Sequence, residues 1–147
     1  MNKELIINKL TNKNDKTAYD YAKKIAAESE KSDKYLEMIP MFTDLLIDES
    51  SYIRTRAFIL ICSQSRWANN KQIEKVFKQM EPLLNDPKPT VVRQCLKALQ
   101  EVVVFRPEMS STVKKAISKI DLKQYKDSMS PLIKKDIDEL KELLNDH

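Results

Sequence analysis

Catalysis in proteins draws on a short list of side chains, and this sequence assembles few of them. The only histidine is His147, the last residue, so neither a histidine-based triad nor a histidine metal centre has material to be built from. Cys62 and Cys95 lie without close spacing inside the apolar runs Ile59–Cys62 and Cys95–Leu99, which is neither a zinc pattern nor a disulfide framework. Two buried thiols in a reducing cytoplasm are the expectation. Carboxylate pairs do occur, Asp136 with Glu139 and Asp138 with Glu142, but at helical spacing on a lysine-rich surface, where solvated ion pairs form. Glycine is absent throughout. That excludes a glycine-rich phosphate loop, a dinucleotide fingerprint and a glycine nucleophile elbow. The residue inventory therefore reads as no enzyme, with no cofactor and no metal.

What remains is a spaced pattern of aspartates and basic residues. Leu45-Leu46-Ile47-Asp48 leads to Ile53-Arg54, Leu83-Leu84-Asn85-Asp86 leads to Val92-Arg93, and Asp127 leads to Ile133-Lys134. The basic residues lie 39 and 41 positions apart. A period of about 40 residues built from two helices belongs to α-solenoids. The lack of glycine also argues against tight β-hairpins, which recruit it for positive φ. Helix ends are then expected to close on residues such as Asn69-Asn70, Asn85 or Asn145, since asparagine best tolerates the left-handed conformation after glycine.

Apolar spacing places eight helices around that pattern. A short amphipathic start runs over Glu4 to Leu10. A second helix, with Asp15 as cap, carries Ala18, Tyr21, Ala22, Ile25 and Ala26 on one face. A third, capped by Ser32 or Asp33, carries Tyr35 to Leu46. A fourth opens at Ser50 or Ser51 and ends near Trp67; a fifth spans 70–84; a sixth spans 89–105, with Pro89 in its first turn. The seventh covers about Ser110 to Ile120, and the eighth begins near Ser130 with Pro131 in its first turn. The outer helices repeat too: Met38, Ile39, Phe42, Leu45 and Leu46 match Val76, Phe77, Met80, Leu83 and Leu84 at an offset of 38.

With these motifs the chain resembles the HEAT-repeat (armadillo-type) family. Pro40 to Arg54 has the family's proline in the first helix, leucine pair, turn aspartate and Ile-Arg at the second helix. Pro82 to Arg93 repeats it with one extra residue, and the third copy departs, with Lys134 for arginine and a longer connection over Asp121 to Lys126. The resemblance implies an all-α, right-handed superhelix of about three to four helical hairpins. The chain then forms a single domain, 1–147, with a cap at 1–32 and repeats at 33–69, 70–107 and 108–147. It also implies a ladder in which Asp48, Asp86 and Asp127 pair with Arg54, Arg93 and Lys134 through the stacked repeats.

Two further sets of residues bear on binding. Arg66-Trp67 and Phe105-Arg106 end the second helices of consecutive copies. There the arginine complements the helix dipole and stacks on a ring, or the pair anchors a partner at the rim of a groove. Arg56, Lys97 and Lys135 lie just past the ladder positions, on the side where the resemblance implies a concave face. They form either a basic ridge for an anionic partner or an ordinary solvated surface.

The charge pattern agrees with a mild central basic bias. Residues 50–108 carry 10 basic and 5 acidic groups and hold all five arginines, while residues 1–49 carry 8 and 10. That excess is below the dense patch of dedicated nucleic-acid binders, and the aromatics are too few for a stacking platform. An acidic protein segment is therefore the expected partner of a non-catalytic scaffold or adaptor. The competing reading is phosphate-backbone binding in the manner of helical-repeat DNA-repair proteins. The longest apolar run, Ala57 to Cys62, is far too short for a bilayer, and Met1 to Ile7 has no signal-peptide character. A cytoplasmic monomer or weak oligomer is expected, with no membrane contact.

Overall fold

The computed structural model describes residues 1–145; His147 lies outside the described residues. Eight α-helices make up the described chain, and no strand occurs among the described residues. They are α1 (Lys3–Leu10), α2 (Asp15–Glu28), α3 (Ile39–Leu45), α4 (Ser51–Ser63), α5 (Asn70–Met80), α6 (Pro89–Phe105), α7 (Ser110–Ser118) and α8 (Ser130–Asn145). Consecutive helices pair as hairpins, and the hairpins stack as a helical-repeat solenoid. The second helices α2, α4, α6 and α8 pack side by side in one row, and α1, α3, α5 and α7 lie over them in the other.

Local chemistry explains where the helices begin. Asn2, Asn14 and Ser50 each accept a backbone N–H of the first turn, satisfying a donor that the helix cannot. Asn14, not Asp15, is the cap of α2. Asn69 forms a reciprocal capping box with Gln72, so it opens α5 where a left-handed helix closure was expected. No described residue has positive φ. The helices end instead by tightening or unwinding, which asks no residue to enter the left-handed region.

Proline sets two boundaries that apolar spacing misses. The expected third helix from Ser32 or Asp33 starts as a short 3-10 turn, Leu36–Met38, and becomes α-helical only at Ile39, next to Pro40. The expected fifth helix likewise stops at Met80 and tightens to a 3-10 turn over Glu81–Asn85, which contains Pro82. In both places the ring removes a backbone donor, and the turn tightens there although the preceding residues, Ile39 and Glu81, keep α-region dihedrals.

One continuous apolar core runs the length of the solenoid, from Leu10 through Phe42, Phe58 and Leu60 to Leu96, Leu99, Ile133 and Leu140. Helix α4 is its centre. It packs against α2, α3 and α6, and it is therefore buried nearly all round, including Thr55, Arg56 and Ser63. Deleting a side chain such as Phe58, which is fully buried, is expected to cost about 3–5 kcal/mol.

Candidate functional site

Ion pairs fasten one hairpin to the next. Arg54 Nε and Nη2 donate to Asp86 Oδ2 of the following hairpin at 3.1 and 2.9 Å. Its Nη1 donates to the carbonyls of Asp48 and Glu49 at 2.9 and 3.0 Å. The Asp48 carboxylate instead accepts the Ser50 N–H, as an ordinary turn aspartate does. Asp86 is the hub: its Oδ1 accepts the Lys88 N–H at 3.0 Å, and its carbonyl accepts the Tyr125 hydroxyl at 2.7 Å. Burial, with the charges of Asp86 and Asp121 adding, pushes the Tyr125 hydroxyl up to about 12.

The next rung departs from the expected one. Arg93 pairs with the buried Asp136 on α8, its Nε at 2.7 Å, and not with Asp127, which is exposed in the turn before that helix. The longer connection carries Asp127 away, and a carboxylate on α8 takes its place. Lys134 is no rung: it reaches along its own helix to Asp138 at 2.7 Å, and both side chains are exposed.

The expected basic ridge is also rearranged. Arg56 is buried, with 3% of its side chain exposed, because α2 covers that side of α4. Its Nη1 donates to the Leu10 carbonyl at 2.8 Å, and its Nη2 pairs with the Asp15 carboxylate. Arg56 thus staples the α1–α2 connection to α4 and is not free to take a partner. Lys135 is exposed on α8, away from the other residues. Of the three ridge residues, Arg56 and Lys97 line a concavity, and only Lys97 is exposed there.

That concavity is a cleft of about 540 Å³ at the N-terminal ends of α2, α4 and α6. Its walls are Asp15, Lys16 and Tyr19 from α2; Ser51, Tyr52, Thr55 and Arg56 from α4; and Lys88, Thr90, Val91, Gln94 and Lys97 at and along α6. The one carboxylate, Asp15, already faces Arg56. Lys16, Lys88 and Lys97 are exposed in the cleft; Lys16 pairs along its own helix with Asp20 at 3.1 Å, and Lys88 Nζ spans to Ser51 Oγ at 3.1 Å. Three helix N-termini add positive partial charge to the same place. Tyr19 and Tyr52 are 42% and 62% exposed and supply flat apolar area with a polar tip.

At the opposite end of these helices the aromatic-basic pairs lock together across hairpins. The Arg66 guanidinium lies over the Phe105 ring at 4.2 Å, so it stacks on the next copy's ring and not on its own neighbour. Arg106 Nε caps the Ser65 carbonyl at 2.9 Å, and its Nη2 reaches the Arg66 carbonyl at 3.3 Å. The Trp67 indole N–H donates to the Ser29 carbonyl at 2.7 Å. Beside them, burial raises the Glu101 carboxyl above its ordinary value; Arg66 opposes that shift and the charge of Glu30 adds to it.

Lys16, Tyr19, Tyr52 and Lys88 did not stand out as sequence. The available signal was positional: each lies at or near the first turn of a second helix, and stacked helices bring those turns together. Among the described residues, no group of three or more potential ligands is arranged for a metal, and no helix is long and apolar enough to cross a membrane.

A family model described as Cnd1, non-SMC mitotic condensation complex subunit 1, matches residues 31–136. No curated protein and no solved structure matches the chain.

Proposed function

This chain belongs to the Cnd1 family, non-SMC mitotic condensation complex subunit 1, and from that premise we propose that it is a non-catalytic scaffold whose basic cleft receives an acidic segment of a partner protein. The family's description is that of a subunit within a complex, which supports protein partners. The observation that carries the finer reading is the cleft itself. Lys88 and Lys97 line it with Lys16, which is shared with Asp20, while the one carboxylate of its lining is held by Arg56. A volume of about 540 Å³ is in the range of built binding sites. The tyrosines give a peptide area to cover at low conformational cost. A cytoplasmic monomer or weak oligomer, and the division into a cap at 1–32 with repeats at 33–69, 70–107 and 108–147, belong to the same proposal. The hairpin order supports that division.

The test is a titration of a glutamate-rich peptide, duplex DNA and RNA at low and moderate salt against the native chain and a Lys88→Glu/Lys97→Glu variant. The peptide is expected to bind best, and the double reversal to weaken it at least about tenfold, or about 1.4 kcal/mol. Preference for the nucleic acids, with affinity collapsing as salt rises, would put phosphate-backbone binding in its place.

A further inference from the structure

We infer that the segment held by the cleft continues along α6 and seats an apolar side chain against Trp67 and Val104, so that the partner carries an acidic block followed by an apolar anchor. The inference rests on the acidic-segment reading of the cleft and specifies the rest of its ligand. Helix α6 turns one continuous stripe to solvent: Thr90, Gln94, Lys97, Glu101 and Val104, spaced at i, i+4, i+7, i+11 and i+14. From Thr90 to Val104 the stripe rises about 21 Å. It begins in the cleft and ends at Val104, 46% exposed and next to Phe105, over whose ring the Arg66 guanidinium lies; Trp67, 38% exposed, follows Arg66.

Trp67 and Val104 are held as a shelf. Arg106 bonds to the Ser65 and Arg66 carbonyls, Arg66 stacks on Phe105, and the Trp67 indole is tied to Ser29. The ring is therefore fixed before anything binds, which lowers the ordering cost of contact with it. The arginines that could attract a second anion at this end are spent on carbonyls and a ring. Glu101, half-buried on the stripe, turns away a carboxylate that follows the first block. The order of chemistry along α6 is thus cationic and then apolar, and the complementary segment is acidic and then apolar. At about 3.3 Å per extended residue, the 15 Å or so from mid-cleft to Val104 corresponds to about four or five residues between block and anchor.

Trp67 is the only tryptophan in the chain, so its emission reports on the shelf directly. Three tryptophan-free peptides form the test. The first has four glutamates, a five-residue glycine-serine linker and a leucine; the second replaces the leucine with serine; the third shortens the linker to one residue. The first is expected to bind about fivefold or more tighter than the others, the scale for partial burial of one leucine, and to shift Trp67 emission to shorter wavelength. Val104→Asp, at an exposed position, is expected to erase that advantage while leaving the second peptide's affinity unchanged. Equal binding of the first and second peptides, or an unmoved emission, overturns the anchor while the acidic reading stands. Binding by none of the three overturns both.

Discussion

Removing the Asp86 carboxylate is expected to loosen the joint between two hairpins far more than its size suggests. Asp86→Ala deletes two charged bonds from Arg54 and one bond from the Lys88 N–H, at a site where Asp86 is 6% and Arg54 18% exposed. Breaking a buried pair by removing one partner costs about 3–5 kcal/mol, because the other charge stays behind. Arg54 keeps its bonds to the Asp48 and Glu49 carbonyls and some water, which places the expected loss near the low end, at about 3 kcal/mol. For a chain of this size that is a fall in melting temperature of roughly 10 °C. Urea unfolding followed by circular dichroism, in a double-mutant cycle with Arg54→Ala, measures the coupling itself, expected at about 2 kcal/mol or more. The exposed Lys134–Asp138 pair is the control, and there the coupling is expected at about 0.3–0.5 kcal/mol. Indistinguishable couplings in the two cycles would refute the argument that burial and cross-hairpin geometry give the rung its strength.

Arg56→Ala is expected to cost about 1–3 kcal/mol by stranding the Leu10 carbonyl and freeing Asp15; hydrogen exchange should show protection lost in α1 and α2 before α6 and α8. Glu101→Gln tests the raised carboxyl. A raised carboxyl favours the folded state at low pH and loses that contribution as pH rises through its folded value. The glutamine variant should therefore melt higher than the native chain at neutral pH, and the gap should close as pH falls below the ordinary carboxylate range. Cys62 and Cys95 are buried, and burial raises both thiols well above the usual range; a disulfide reagent should label them in native buffer only as fast as the chain opens, and promptly in denaturant.

Much of the fold was legible because it follows from local rules. A stripe at helical spacing marks each helix, and Ser50, Pro89 and Pro131 mark where three of them begin. The proline-tightened segments were not legible from apolar spacing, since Met38 and Leu83 keep the right periodicity although the backbone there is 3-10. The site was harder, because burial belongs to neighbours in space. Arg56 sits in a sequence position suited to the surface, and only the packing of α2 over α4 shows that it is enclosed. Asp136 looks like one carboxylate in a charged helix until α6 brings Arg93 against it. Lys16 and Lys88 read as solvation one at a time; the stacking of three helix starts is what makes them a cleft.

A partner's acidic segment is expected to bind in the cleft between the starts of α2, α4 and α6. An amide chemical-shift titration of the isotope-labelled chain with a glutamate-rich peptide tests it most directly. The largest shifts are expected at Lys16, Tyr19, Tyr52, Lys88, Thr90 and Lys97, saturating together and weakened by added salt. Shifts confined to the outer row of α3, α5 and α7, or none at all at saturating peptide, would contradict it.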